Sequence, residues 1–383
     1  MGAMRVERGM SDTFTARAPA ASWRSFDVQL AFYALALAVL GLMMAYTNSV
    51  GAPLAAGSVF TRGLMWFAIA LVVYVVAAAF DYRWLRTLAW LVYLVNIVLL
   101  IVTLAVGSGV GGVSRWVSIF GLQFQFSEVA KILMIGVLAA YVAARRDSMN
   151  RLSTLIGAGI LMGPPFVLVM IQPDLGTSLV FVAVFFGILF MSGMRLRWLL
   201  LPVAAALAAF PILWTILQDY QKRRLLSFLD PSADPLGAGF QVIQSQLAVS
   251  AGGMFGRGLS GGGTGTELLP VQSTDFAAAV LFQELGFVGG VVTFALFGLL
   301  IWRILVVGWR SDDLFGLAFA AGVASMLLFQ LIVNVGMVLG IMPVTGIPLP
   351  FVTHGGASLI SIALGLGLLQ AVAMRRTIPD WQD

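Results

Sequence analysis

Cysteine is absent from the 383 residues, so no disulfide, thiolate nucleophile or cysteine-based metal site is available. Histidine occurs once, at His354, which excludes a multi-histidine metal cage. Charge is scarce as well: Asp, Glu, Lys and Arg make up 10% of the chain, where a soluble domain carries about 25%. Glycines are plentiful, but none leads into a Gly-Lys-Ser/Thr element, so there is no phosphate-binding P-loop. What remains is apolar. At 60% hydrophobic residues the chain carries more apolar surface than its own core could hide from water, and it reads as an integral membrane protein. The net charge of +5 says little about partners, because in such a chain the placement of Lys and Arg matters more than their sum; no nucleic-acid partner is expected.

Apolar stretches of about 20 residues, long enough to cross a bilayer, occur about ten times. They lie near 27–48, 60–80, 85–106, 127–144, 153–171, 175–193, 197–217, 276–302, 314–340 and 352–373. The expected fold is therefore all-α and polytopic, with one large extracytoplasmic loop. Its segments are an N-terminal tail (1–26), seven spans (27–217), the loop (218–275), three spans (276–375) and a C-terminal tail (376–383). No cleavable leader is expected, since the first apolar run has no small-residue cleavage site. Arg83, Arg86, Arg145, Arg146, Arg151, Arg195, Arg197, Arg303, Arg310, Arg375 and Arg376 fall on one side with the Arg-bearing N-terminus. By the positive-inside rule that side is cytoplasmic, and both termini lie there. Within the loop, Gly239–Leu247 has amphipathic helical spacing suited to a membrane surface. Gly252, Gly253, Gly256, Gly258 and Gly261–Gly263 permit positive φ and close backbone approach.

Several charges break this pattern on the outer side. Arg62 reads as an ordinary headgroup contact. Arg115, Lys131 and the run Lys222-Arg223-Arg224 read instead as cations for a polyanionic headgroup such as a pyrophosphate. Glu128 and Lys131 are three apart and able to pair. They are either a structural ion pair or a pair facing a water-filled cavity. Asp174 opens a helix pattern after Gln172-Pro173, as an N-cap, a cavity carboxylate, or both. Asp275 stands at the mouth of another apolar helix and is likewise either an N-cap or a reacting group. His354 reads as a hydrogen-bonding structural residue.

Several motifs together resemble a known family. They are Ser114-Arg115-Trp116, Phe126-Ser127-Glu128-Val129-Ala130-Lys131, Gln172-Pro173-Asp174-Leu175-Gly176-Thr177-Ser178, and Tyr220-Gln221 with Arg223 and Arg224. Gln244-Ser245-Gln246, Thr274-Asp275-Phe276, Glu284-Leu285-Gly286, Asn334-Val335-Gly336-Met337 and Pro343–Phe351 follow in order. The chain resembles the SEDS proteins (shape, elongation, division and sporulation), RodA-like members more than FtsW-like ones. It departs from the family pattern at Val271-Gln272-Ser273, at Gln283 beside Glu284, at Phe126, and at Thr353-His354.

The resemblance implies a peptidoglycan glycosyltransferase. Its substrate would be lipid II, a disaccharide-peptide on undecaprenyl pyrophosphate, polymerised at the outer face of a bacterial cytoplasmic membrane. The family's key carboxylate aligns with Asp275, expected as general base; Arg115, Glu128, Lys131, Asp174, Arg223, Arg224 and Thr274 are expected around the substrate. A class B penicillin-binding protein transpeptidase is the expected partner, besides membrane lipids. No cofactor is demanded: the chemistry tolerates a divalent cation, but no ligand cluster in the sequence calls for one. Two other functions fit the intramembrane charges and Gly/Pro-broken segments, a lipid-precursor transporter (flippase) and a non-catalytic scaffold for a transpeptidase.

Overall fold

The computed structural model describes residues 22–49, 53–55, 57–107, 115–119, 122–216, 221–222, 228, 238–259, 274–353 and 355–376. The helices are α1 (Val28–Thr47), α2 (Val59–Ala79), α3 (Tyr82–Thr87), α4 (Ala89–Val106), α5 (Phe126–Ala144), α6 (Leu152–Ile171), α7 (Leu175–Met191), α8 (Leu196–Ile216), α9 (Ala238–Gly252), α10 (Ala277–Trp309), α11 (Leu314–Val338) and α12 (Gly356–Met374). Eight of these are long and apolar enough to cross a membrane; α7 and the apolar part of α8 are shorter. The protein is a polytopic all-α membrane protein. Long helices dominate because a span must satisfy every backbone donor and acceptor within itself when lipid surrounds it.

The structure differs from the sequence expectation at several places. The stretch read as one span from 85 breaks at Leu88, where α3 ends and α4 begins. The 107–126 connection carries a small antiparallel hairpin, β1 (Val117–Ile119) with β2 (Leu122–Phe124). Strands of three residues have too little alternation to announce themselves.

The bundle has a buried centre and a lipid-facing rim. α12, α5 and α11 have 83%, 72% and 67% of their most apolar stretch buried, against 6% for α2 and 17% for α4. Small residues allow the central contacts. A methyl built on Gly322 of α11 would come 2.7 Å from Ile135 of α5 and 3.0 Å from Ile188 of α7. At one end of the bundle Asp27 caps α1 through Leu30 N–H, and Arg303 of α10 grips it with Nε and Nη2, the shortest contact 2.8 Å. Arg303, assigned by sequence to a loop, thus lies inside a helix that runs seven residues past its expected end at 302. Arg375 donates to the carbonyls of Ala78 and Ala79, closing the end of α2 nearby.

The 33-residue helix α10 is not continuous. Gly286 has φ 67 and ψ −168, which interrupts the helical ladder. The segment after α9 fills the gap. Arg257 and Gly258 N–H donate to the carbonyls of Gln283 and Glu284 at 3.0 and 3.1 Å, and Phe287 and Val288 N–H donate to the carbonyls of Gly253 and Met254 at 2.9 and 3.0 Å. Groups freed by the break are therefore paired rather than left bare, which a membrane setting requires. Gly256, at φ +80, lies against the Glu284 carbonyl with no room for a Cβ. α9 itself is the helix its spacing announced, and it packs on α10 and α11. Ser245 Oγ donates to Val338 O and Gln246 Nε2 to Leu339 O.

Candidate functional site

Asp275 lies in a 3-10 turn, Thr274–Phe276, that leads into α10. The N-cap position of α10 is Phe276, which makes no side-chain capping bond. Asn334, near the end of α11, fixes this turn: its Nδ2 donates to Asp275 O at 2.8 Å and to Ile347 O at 2.7 Å. One amide group thus clamps the Asp275 backbone to the loop between α11 and α12. The same loop meets the carboxylate. Gly346, at φ +75, presents its bare Cα side to Asp275, and a Cβ there would sit 3.2 Å from Asp275 Oδ2.

The loop also reaches α7. A Cβ on Gly176 would come 2.7 Å from the Thr345 carbonyl and 2.8 Å from Ile347 Cγ1. Two residues earlier, Asp174 caps α7 by accepting from Thr177 N–H at 3.1 Å and from its hydroxyl at 2.9 Å. Asp174 accepts a third bond, from Gln125 Nε2 at 3.0 Å, which ties it to the start of α5. The N-cap reading of Asp174 is correct, and the residue is 4% exposed. Arg115 joins the group through its Nε, which donates to Gln172 O at 3.0 Å.

Inside the first turns of α5, Lys131 Nζ donates to Glu128 Oε1 at 2.8 Å. The side chains are 1% and 4% exposed. Lys131, read from sequence among the cations for a pyrophosphate, therefore points its ammonium at its own helix and not at solvent. A charge at this depth is costly, and pairing offsets part of that cost. Arg62 is outside the cluster, with its Nε on Gly57 O. For Thr274 only the backbone position in the 3-10 turn is described. Arg223, Arg224 and His354 lie outside the described residues.

Contacts thus run from Arg115 through Gln172 and Asp174 to Gly176, Thr345, Gly346 and Asp275, gathering residues from four separate parts of the chain at one end of the bundle. Sequence reasoning gave no role to Asn334, Gly346 or Gln125. The spacing of Gln330 and Asn334, two amides one turn apart in an otherwise apolar helix, was the available signal. Among the described residues no three His, Asp or Glu side chains gather in a way that would hold a metal.

The family described as cell cycle protein, FtsW/RodA/SpoVE, matches residues 28–378. MrdB of Escherichia coli K12, named a peptidoglycan glycosyltransferase, is 40% identical over 319 residues, covering 82% of this chain and 85% of its own. A solved chain from work on "Structural coordination of polymerization and crosslinking by a peptidoglycan synthase complex" is 34% identical with a TM-score of 0.80, covering 94% of this chain and all (100%) of that one. The rod shape determining protein RodA of Thermus thermophilus is 28% identical with a TM-score of 0.69, covering 94% and 99%. With the match running nearly end to end and the same helices superposing, this chain belongs to the FtsW/RodA/SpoVE family of cell cycle proteins.

Proposed function

We infer that the protein is a peptidoglycan glycosyltransferase that builds glycan strands for cell elongation, with lipid II as its substrate and Asp275 as its general base. The observation that carries the assignment of the base is the seat of Asp275. Its backbone is clamped by Asn334 and its carboxylate rests on Gly346, at the end of the bundle where Asp174 and the Arg115–Gln172 contact also lie. Relatives named for this activity support the reaction class.

The acceptor sugar's hydroxyl oxygen attacks the anomeric carbon of the donor as the bond to the lipid pyrophosphate breaks. The hydroxyl proton passes to an Asp275 oxygen. Attack opposite the leaving group inverts the anomeric centre, so one base suffices and no sugar–enzyme bond forms. Positioned proton transfer of this kind contributes roughly 10²- to 10⁴-fold. Charge growing on the pyrophosphate calls for cations, and Arg115, Arg223 and Arg224 are the candidates. Lys131 serves differently, as the buried partner of Glu128. The Arg-rich end of the bundle is cytoplasmic in this reading, both termini lie there, and chemistry occurs on the other side of the bacterial cytoplasmic membrane. A class B penicillin-binding protein would crosslink the strands; a relative seen in a polymerising and crosslinking complex supports such a partner.

The test is Asp275→Asn. Asn keeps the size and capping capacity of Asp and removes the base. Purified, monodisperse variant should polymerise lipid II at least about 10²-fold more slowly than wild type with unchanged folded yield. Polymerisation in detergent, where no membrane separates two sides, also distinguishes a glycosyltransferase from a transporter. An Asn variant as fast as wild type would move the base elsewhere, with Glu128 and Asp174 next.

A further inference from the structure

Several buried side chains, Asn96, Ser127 and Gln370 among them, have polar atoms with no hydrogen-bond partner among the described residues, and three such groups bear on one another. They are Oε2 of Glu128, both amide atoms of Gln330 and Oγ of Ser358. These residues are 3%, 1% and 5% exposed. They belong to three different helices, α5, α11 and α12.

The register is fixed by close contacts in the seam between those helices. Ile135 of α5 covers Gly322 of α11, and Gly365 of α12 faces Ile132 of α5 and Val323 of α11, 3.0 and 3.6 Å from a methyl built on that glycine. Seven residues are close to two helical turns and return to the same face. Glu128 is seven residues from Ile135, Gln330 seven from Val323, and Ser358 seven from Gly365. α11 runs toward the Asp275 end, as Asn334 shows, while α5 and α12 begin there. All three displacements therefore point toward Asp275; from the Ile132–Val323–Gly365 contact, Gln330 and Ser358 lie about 10 Å along the bundle and Glu128, four residues from Ile132, about 6 Å. The buried residues Glu128, Gln330 and Ser358 therefore lie within about one helical turn of the same height, one to two turns above that contact on its Asp275 side.

Buried polar groups are too costly to leave unpaired, and enclosed polar sites take up water that makes about three hydrogen bonds. We propose that Gln330 and Ser358 are positioning residues which, through enclosed water, hold the second oxygen of Glu128 and so fix the Glu128–Lys131 pair beneath the candidate base. The functional consequence rests on the glycosyltransferase reading above; the hydrogen bonding does not. Glu128 has two oxygens. Lys131 takes one, and the amide and hydroxyl serve the other, which leaves the carboxylate a single orientation. Gln330 suits the task because an amide both donates and accepts.

The experiment compares Gln330→Leu, Glu128→Gln and the double variant, purified in detergent. Leu is close in volume to Gln and opens no cavity, so any fall in the thermal unfolding midpoint reports the lost hydrogen bonding to Glu128. The rate of lipid II polymerisation should fall roughly 10- to 100-fold, as for a group displaced near a reacting centre. In the Glu128→Gln background the same substitution should cost less than about twofold more, since residues acting through one another are not additive. A spectroscopic arm works without activity. The infrared difference between wild type and Glu128→Gln isolates the Glu128 carboxylate stretch, and that band should shift when both proteins carry Gln330→Leu. Ser358→Ala should move it in the same direction. An unshifted band, or additive losses in the cycle, would overturn the proposal. If wild-type protein fails to polymerise lipid II, the activity reading falls, while the infrared band still decides whether Gln330 holds Glu128.

Discussion

Replacing Gly346 by alanine tests whether the loop between α11 and α12 holds the Asp275 carboxylate where it is needed. Two effects of the substitution can be separated. The first is local strain: Gly346 has φ +75, and an L residue in that region costs about 1–2 kcal/mol. The second is contact. The new methyl would sit 3.2 Å from Asp275 Oδ2 and 3.8 Å from its Cγ, so the carboxylate or the loop must yield by a few tenths of an ångström. Gly193 supplies the control. It has φ +90 but nothing within 4 Å of a built Cβ, and it lies past the far end of α7, about 25 Å from the site. Gly193→Ala therefore carries the strain without the contact. If a misplacement of about 1 Å costs roughly 10²-fold, one of a few tenths costs about five- to tenfold. The two variants should lose similar stability in thermal unfolding. Gly346→Ala should in addition polymerise lipid II about five- to tenfold more slowly than Gly193→Ala. Equal rates for the two would refute the argument that the Gly346 contact sets the position of the proposed base.

Other perturbations follow from the same geometry. Glu128→Ala or Lys131→Ala leaves a buried charge unpaired and should cost about 3–5 kcal/mol, whereas the double change should cost clearly less than the sum; additive losses measured by unfolding would mean that the pair is not coupled. Gly256→Ala, with no room against the Glu284 carbonyl, should lower the yield of folded protein far more than Gly258→Ala, which has open space at a similar φ of +86; equal yields would argue against the backbone lock at the α10 break. Asn334→Leu should lower activity at least about tenfold, since a clamp on the Asp275 backbone is lost together with two hydrogen bonds, and a wild-type rate would remove Asn334 from the site. A reporter fused after Arg376 should be cytoplasmic and one inserted after Leu259 extracytoplasmic; finding both on one side would reject the orientation read from the arginines.

The helices were legible because their cause is local. A segment that crosses the bilayer must be predominantly apolar and bond its own backbone, so α1, α2, α5, α6 and α11 announce themselves as long apolar runs near their observed limits. The Glu128–Lys131 pair was legible for the same reason, since three residues along a helix bring two side chains to one face. So was the capping of α7 by Asp174.

Tertiary structure alone decided the rest. Nothing near Gly286 says that α10 opens there and pairs with residues 253–258, some thirty positions earlier; that pairing exists because freed backbone groups find partners across space. Asp275 meets Gly346 and Asn334 only because α11 returns its far end beside the start of α10. The relative heights of Glu128, Gln330 and Ser358 depend on three packing registers at once. Periodicity tells which residues share a helix face, but the height at which one helix slides against another is set by where small residues such as Gly322 and Gly365 admit a neighbour's side chain, and that is a property of the assembled bundle.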